Sequence, residues 1–132
     1  AKKFISKLKK KLFKTPIILI SGGESTVKIK GDGKGGRNQE LALHFIVNAN
    51  KLMPELKFTF LSAGTDGRDG PTNAAGAIVN HNSLTEIKSQ NINLDKELKN
   101  NNSYEVLKKI NSLVIINGTN TNVADLQIIM LE

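Results

Sequence analysis

Ten of the eleven glycines lie between residues 22 and 76, in the three loops that follow the first predicted strands. In open α/β sheets, ligand sites form at the carboxyl ends of strands, where such loops lie together. The chain has 132 residues, of which 39% are hydrophobic and 23% are charged, which is enough for one domain with its own core. We therefore predict a single domain whose functional site lies among the glycine-rich loops.

Hydrophobic periodicity predicts six strands along the chain. They cover residues 17–20, 25–30, 57–63, 74–80, 113–116 and 126–131. The apolar runs 17–20 and 113–116 are typical of buried strands. The segment 25–30 instead alternates apolar and polar residues, as a half-buried strand does.

A helix is predicted over residues 38–53, because Leu41, Phe45 and Leu52 share one helical face, and Pro54 ends it.

The polar segment 83–110 is also predicted to be helical, with Ser83 and Ser103 as N-caps and a break at 100–102. Because strands alternate with helices, the predicted fold class is α/β. We expect a single layered domain with a mixed, largely parallel sheet flanked by helices.

The positive charge is concentrated at the N-terminus. The chain has a net charge of +7, yet seven of its lysines lie in residues 1–14, and the rest of the chain holds 12 basic and 12 acidic residues. Apolar residues such as Phe4, Leu8 and Leu12 recur at helical spacing, which predicts a basic amphipathic helix over 1–14 that leads into the domain.

Two interpretations of this helix stay open. We favour a solvated surface helix over a contact with nucleic-acid phosphates or an acidic membrane. An aromatic content of 5% argues against a base-stacking platform, so we expect no nucleic-acid partner.

The chain contains no cysteine and no apolar run long enough to span a membrane. Its lysine-rich start lacks the apolar core of a signal peptide. We therefore expect a cytoplasmic protein without a membrane partner. The first residue is Ala rather than Met, which fits either removal of Met or a chain cut from a longer one.

The segment Gly31–Gly36 matches the G-x-G-x-x-G pattern of dinucleotide-binding loops. The context does not fit, because the preceding strand alternates in polarity and no acidic residue ends the next strand. The Walker A pattern fails as well, since neither Gly-Lys-Ser nor Gly-Lys-Thr occurs. Two interpretations remain: an anion site at a helix N-terminus beside Arg37, and a hairpin-like loop with a surface arginine.

The loop 64–72 carries Asp66 and Asp69 among glycines. Carboxylates after a strand suit binding of Mg²⁺ or of a hydroxyl group. Asp-Gly turns are also common for conformational reasons, and for this motif alone we favour that interpretation. His44 and His81 have no partner at metal-ligand spacing, so we interpret both as structural or surface residues.

Several motifs together resemble one family and follow its order. They are SGGESTV at 21–27, GDGKGGRNQE at 31–40, AGTDGRDGPTNAAGA at 63–77, NNSY at 101–104 and TNVADL at 121–126. From about Ile17 to Leu131 the chain resembles the MOFRL domain. That domain is the C-terminal domain of type-2 glycerate kinases, which are sometimes labelled hydroxypyruvate reductases.

The resemblance implies an activity for the complete enzyme, a glycerate 2-kinase. It would phosphorylate D-glycerate to 2-phosphoglycerate with ATP and Mg²⁺. The site would lie in a cleft between this domain and a larger, Rossmann-like N-terminal domain, so the isolated domain is expected to be inactive. The alternative is a stand-alone remnant or anion-binding module of the same fold without catalysis.

The resemblance also implies roles for individual residues. Arg37 would stabilise the migrating phosphoryl charge, and Asp66 of the Thr-Asp-Gly motif would join it as a catalytic residue that helps to bind substrate or metal. The implied substrate- or phosphate-binding residues are Ser21, Gly22, Gly23, Gly35, Gly36, Asn38, Thr65, Asp69 and Asn122. No metal ligand is assigned. In this role, Arg37→Ala is expected to lower turnover at least about tenfold with little loss of stability.

Two segments differ from the family pattern. Asn102 stands where the family usually has Asp, and residues 117–120 are Asn-Gly-Thr-Asn where the family usually has Thr-Gly-Pro-Thr. The second difference removes a proline that would stiffen a loop facing the cleft. We expect it to affect substrate affinity rather than the fold.

Overall fold

The computed structural model describes residues 16–132. The described elements are β1 (Ile17–Gly23), α1 (Arg37–Leu52), β2 (Phe58–Gly64), β3 (Gly76–Asn80), α2 (Ser83–Ser89), α3 (Leu94–Lys99), α4 (Ser103–Lys109), β4 (Leu113–Val114) and β5 (Asp125–Leu131). The helix predicted over 1–14 lies outside the described residues. Within them, none of the helices has the length and apolar character that a membrane span requires.

The five strands form one sheet in the order β1-β5-β2-β3-β4, and every neighbouring pair is antiparallel. The α/β class is confirmed, but the prediction of a largely parallel sheet is wrong. A short loop without a crossover helix joins β2 to β3, and the last strand, β5, inserts between β1 and β2. β1 and β2 therefore run in the same direction without being neighbours.

β1 is an edge strand with two different faces. Leu19 packs against the hydrophobic core, whereas Ile18 and Ile20 are 61% and 70% exposed. The prediction of a buried strand at 17–20 is therefore wrong. An apolar run has the same sequence whether one face or both faces of the strand are covered, so burial could not be inferred from it.

The strand predicted over 113–116 is shorter than expected. Only the half-buried β4 pairs with β3, and Ile115 and Ile116 are exposed beyond it. The strands predicted over 57–63, 74–80 and 126–131 correspond to β2, β3 and β5, with small shifts of their ends.

Residues 25–30 do not form a strand, contrary to the prediction. The backbone N–H groups of Lys30 and Gly31 donate to Oδ1 of Asn101, at 2.7 and 3.0 Å. Ile29, predicted on the buried side, is exposed. An asparagine side chain from a distant loop thus satisfies backbone groups that a neighbouring strand would otherwise bind.

The predicted helical segment 83–110 consists of the three short helices α2, α3 and α4. The break at 100–102 is confirmed, and the structure adds a second break at 90–93. Each break contains an asparagine with positive φ, Asn91 and Asn101, both at 55°. Asparagine tolerates this left-handed conformation better than most residues, which is why these positions end a helix.

The helix ends agree with the sequence to within one residue. The N-cap residues of α2 and α4 are Asn82 and Asn102, each one residue before the predicted serine. α1 begins at Arg37 and ends at Leu52, two residues before Pro54.

The core lies between α1 and one face of the sheet. α1 packs on β2 and β3, and the Phe45 ring stacks on Phe60 and meets the edge of Phe58, with centroids 4.1 and 5.1 Å apart. α2 and α4 pack along α1 and add Ile87 and Leu107 to the core. Truncation of such a buried Phe to Ala costs about 3–5 kcal/mol. This packing holds the N-terminal end of α1 against one end of the sheet.

Candidate functional site

The predicted motifs meet at one end of the sheet. Gly23 of β1, Asp125 of β5 and Gly64 of β2 lie side by side in the sheet register. β1 and β2 both end there, and β5 begins there. The loops that follow β1 and β2 therefore face the loop that precedes β5, although the sheet is antiparallel.

Arg37, the first residue of α1, is fixed by a bidentate ion pair at this end of the sheet. Its Nε donates to Oδ2 of Asp125 at 2.7 Å, and its Nη2 donates to Oδ1 at 2.8 Å. The Asp125 side chain is 0% exposed, and the Arg37 side chain is 33% exposed. A bidentate pair of this kind fixes the plane of the guanidinium group as well as its position.

The ion pair shifts the pKa values of both partners. Hydrogen bonding to Asp125 raises the pKa of Arg37 further above its already high value. Burial by itself would raise the pKa of Asp125. Hydrogen bonds from Arg37 and Asn38, the charge of Arg37 and the backbone N–H of Ser25 more than offset burial, so the pKa of Asp125 lies below its ordinary value. Both side chains are therefore charged at neutral pH.

Glu24 is a second and weaker partner of Arg37. Its Oε1 lies 3.2 Å from Nη1 of Arg37, and its side chain is 62% exposed. The three contacts use one N–H on each guanidinium nitrogen, whereas a guanidinium carries five. Donors of Arg37 are thus available to a further acceptor at the solvent side.

The N-terminal end of α1 is occupied by the carboxylate of Asp69. Oδ1 accepts the backbone N–H of Asn38 at 3.0 Å, and Oδ2 accepts that of Gln39 at 2.9 Å. The side-chain amides of both residues donate to the same carboxylate. Gly36 precedes them, and a Cβ atom there would overlap Asp69. An anion does bind this helix N-terminus, as its geometry favours, but it belongs to the chain itself.

Asn38 links this cap to β2. Its Oδ1 accepts the hydroxyl of Ser62 at 2.6 Å, and both side chains are fully buried. The predicted roles of Asn38, Gly36 and Asp69 in ligand binding stay predictions. What the contacts establish is that these residues hold α1, and with it Arg37, in place.

The glycine loop before α1 packs against residues 100–103. A Cβ atom at Gly31 or Gly33 would overlap Asn100, and one at Gly35 would overlap Ser103. The backbone N–H of Gly33 donates to the carbonyl oxygen of Asn100 at 2.9 Å. These glycines therefore make room for another part of the same chain.

Three consecutive asparagines bind this loop through their side chains. Oδ1 of Asn100 and of Asn102 accept backbone N–H groups of the loop at 3.3 and 3.1 Å. Asn101 binds residues 28–31 on one side and donates to Oε1 of Glu40 in α1 at 2.5 Å on the other. Nδ2 of Asn102 donates to Glu97, which an Asp at this position could not do while ionised.

Thr65 anchors the loop that leads into β5. Its hydroxyl donates to the carbonyl oxygen of Ala124 at 2.7 Å and accepts the N–H of Val123 at 2.8 Å. The hydroxyl of Thr119 donates to the carbonyl oxygen of Thr65. Asn122 is exposed, and its Oδ1 accepts the N–H of Ala124, which has a φ of +68°. Thr65 thus controls the path of the chain directly before Asp125.

Asp66 follows Thr65 and is half-buried. Its Oδ1 accepts the N–H of Arg68 at 3.0 Å, as in an Asx turn, and Oδ2 makes none of the described hydrogen bonds. Within residues 16–132, the acidic and histidine side chains form no group of three that could hold a metal ion. Mg²⁺ commonly takes one or two carboxylates together with substrate phosphates, and Asp66 can supply one such ligand.

The remaining predicted residues lie at the end of β1. Ser21 is half-buried, and Gly22 and Gly23 are exposed. Gly23 has a φ of +140°, a conformation that favours glycine. His44 and His81, interpreted as structural or surface residues, are exposed.

An open groove of about 750 Å³ runs between α1, the segment 25–30 and α3. Arg37, Ser25 and Leu41 line it, together with three lysines and two acidic residues. The lining is therefore net positive and favours an anionic ligand.

The sequence model of the MOFRL family matches residues 17–125. The chain belongs to the MOFRL family. This match confirms the resemblance that the motifs indicate. Relatives that are similar to the chain over this span are named as glycerate kinases. The chain is 46% identical to D-glycerate 2-kinase of Thermotoga maritima over 120 residues, which are 91% of this chain and 28% of that protein. It is 44% identical to glycerate 2-kinase of Pyrococcus horikoshii over 112 residues, which are 84% of this chain and 24% of that protein.

The fold of this MOFRL chain is similar to part of a solved kinase structure. The crystal structure of glycerate kinase from Thermotoga maritima superposes with a TM-score of 0.88 at 42% identity, covering 98% of this chain and 32% of that one. The MOFRL chain thus spans about a quarter to a third of the length of these relatives.

Sequence reasoning missed two carboxylates that this site contains. Asp125 precedes the apolar run of β5, and Glu24 follows the glycines of β1. An acidic residue next to an apolar strand is the signal that could have pointed to Asp125. Only the structure shows that both meet Arg37.

Proposed function

We propose that this chain supplies one wall of the phosphoryl-transfer site of a glycerate 2-kinase, which converts D-glycerate and ATP to 2-phosphoglycerate and ADP. The observation that carries the proposal is the fixed position of Arg37 on the buried Asp125, with N–H donors left at the solvent side. The names of the relatives support the choice of substrate.

Arg37 would act by position and charge. A transferring phosphoryl group spreads negative charge over its oxygens, and donors that are already oriented stabilise that charge without reorganisation. Asp125 provides this orientation because both of its oxygens hold the guanidinium group. Asp69 also stabilises the position of Arg37, because it binds the backbone N–H groups of the first turn of α1.

Immediately around Arg37 the negative charge exceeds the positive charge, although the wider groove is net positive. Arg37 carries one positive charge, whereas Asp125 and Glu24 together carry two negative charges. Mg²⁺ bound with ATP would neutralise phosphate charge, and Asp66 is the carboxylate of this chain that we assign to it. Thr65 would hold Asp66 in place through its bonds to the chain before β5.

We infer that a larger, Rossmann-like domain provides the other wall of the cleft, and that the protein acts in the cytoplasm. Catalysis by positioning requires both walls, so this chain alone should be inactive. A non-catalytic anion-binding module is the second candidate. The observation that favours it is that the described residues form a net positive groove beside Arg37 without another domain.

A chimera tests the proposal. Residues 17–131 of this chain replace the matching segment of the Thermotoga maritima enzyme, and ADP formation is measured with D-glycerate. We expect an active chimera in which Arg37→Lys lowers kcat about tenfold or more, because lysine cannot make the bidentate pair. Arg68→Lys, in an exposed position of the neighbouring loop, is the matched control and should leave kcat unchanged. A folded but inactive chimera, or equal rates in both variants, would contradict the proposal.

A further inference from the structure

Two neighbouring residues, Glu24 and Ser25, have features that the roles assigned so far leave unexplained. The hydroxyl oxygen of Ser25 is buried and has no hydrogen-bond partner among residues 16–132. Buried hydroxyl groups are nearly always hydrogen-bonded, so an unpartnered one in a groove indicates a missing acceptor or donor. Ser25 lines the same groove as Arg37.

Ser25 and Arg37 both lie beside Asp125. The backbone N–H of Ser25 is close enough to help lower the pKa of Asp125, whose two oxygens hold the guanidinium group of Arg37. The unpartnered hydroxyl of Ser25 and the solvent-exposed part of Arg37 therefore lie near each other, and both residues adjoin the buried Asp125.

The two carboxylate partners of Arg37 differ in how firmly they are held. Asp125 is fully buried and makes two bonds of 2.7 and 2.8 Å. Glu24 is mostly exposed and makes one contact of 3.2 Å. Exposed ion pairs are weak, because both charges keep favourable interactions with water when they separate. Glu24 is thus the partner that an incoming anion can replace.

We propose that Glu24, Ser25 and Arg37 form a subsite for a small carboxylate or phosphate group. The ligand takes the place of Glu24 at Nη1 of Arg37 and accepts the hydroxyl of Ser25, while Asp125 keeps its two bonds. Exchange of one anion for another at Arg37 leaves the charge of the buried pair unchanged, so binding does not disturb the fold. The inference deepens the proposed function and rests on it for the identity of the ligand.

The proposal predicts opposite effects at the two residues. In Glu24→Gln the competing charge is gone, and affinity for an anion should rise about two- to fivefold. In Ser25→Ala the ligand loses a hydrogen bond to a charged group, and affinity should fall about tenfold. Purely structural roles would not give opposite changes.

The experiment is a calorimetric and NMR titration of the full 132-residue chain and its variants with inorganic phosphate and, separately, with D-glycerate. Glu86→Gln is the matched control, because Glu86 is exposed and its described hydrogen bonds use its own backbone N–H and carbonyl oxygen rather than its carboxylate. Thermal unfolding of each variant is measured as well. Ser25→Ala should unfold at an unchanged temperature, since it removes a hydroxyl that has no partner.

Opposite shifts of the dissociation constants, absent in Glu86→Gln, would support the subsite. A response to phosphate alone would assign it to a phosphate group, and a response to D-glycerate alone to the carboxylate. Equal affinities in all variants, or the absence of binding in every variant, would overturn it. If the chimera is inactive but the dissociation constants shift in opposite directions, the kinase proposal is rejected and the subsite is supported. If the chimera is active but the dissociation constants do not shift, the subsite is rejected and the kinase proposal is supported.

Discussion

The carboxylate of Asp69 caps helix α1 from a loop that lies 30 residues further along the chain, where it accepts the backbone N–H groups of Asn38 and Gln39. The residue before the first helical turn is Gly36, which has no side chain that could cap the helix itself. Asp69 therefore couples the loop after β2 to the helix that carries Arg37.

Asp69→Ala should destabilise the protein by about 2–4 kcal/mol, because it removes a helix cap and leaves buried amides without an acceptor. Urea unfolding measures the loss. Asp32→Ala is the control, since Asp32 is exposed, and it should change stability by less than about 0.5 kcal/mol. Similar stability of the two variants would show that the cap contributes little.

Arg37→Ala should lower stability as well as turnover. It leaves Asp125 buried without its cation, and removal of one partner from a buried pair costs about 3–5 kcal/mol. From the sequence we expected Arg37→Ala to cause little loss of stability. The buried Asp125 predicts a substantial loss. The double variant Arg37→Met with Asp125→Leu should recover most of the loss in urea unfolding. A double variant less stable than Arg37→Ala would argue against the account.

Stability should depend on pH through Asp125. Its pKa is lower in the folded chain than in the unfolded chain, so the unfolded chain binds more protons between the two values. The contribution is present above the unfolded pKa of about 3.9 and is lost as the pH falls below it toward the folded pKa. Unfolding free energies measured from pH 7 to pH 3 should fall less steeply in Asp125→Asn than in the parent chain. An unchanged slope in Asp125→Asn would be evidence against a lowered pKa.

Two glycines offer a direct comparison of packing. Gly33→Ala brings a methyl group into the backbone of Asn100 and should cost about 2–4 kcal/mol. Gly118 has open space around its Cβ position and a negative φ, so Gly118→Ala should be neutral or stabilise by about 0.4–1 kcal/mol. Thermal unfolding separates the two, and equal melting temperatures would mean that the loop can move away from Asn100.

Local sequence patterns predicted most of the helices and strands. Strand direction depends on long-range pairing, which they did not predict. The apolar periodicity of α1 and the apolar run of β2 depend on neighbouring residues, and both elements were located correctly. The direction of the strands depends on β5, which pairs with β1 over a separation of more than 100 residues. No local signal reports such a pairing, which is why a parallel sheet was expected.

In the site, too, local sequence patterns predicted some features, and long-range contacts determined the others. Arg37 was predicted to lie beside an anion site at a helix N-terminus, and the structure places the carboxylates of Asp125 and Asp69 there. The glycines before α1 were interpreted as space for a ligand. In the structure, Gly31, Gly33 and Gly35 accommodate Asn100 and Ser103, from a segment about 70 residues away, and the role of Gly35 and Gly36 in ligand binding stays a prediction. A close approach of backbone explains glycine equally well in both cases, so the sequence alone could not separate them.

The most direct test of the account is to identify the product that the chimera forms from D-glycerate and ATP by ³¹P NMR. We predict that the chimera with Arg37 forms 2-phosphoglycerate, and that the Arg37→Lys chimera, which lacks the bidentate pair with Asp125, forms it at least about tenfold more slowly. A folded chimera that hydrolyses ATP without phosphorylating D-glycerate, or that phosphorylates another position, would contradict it.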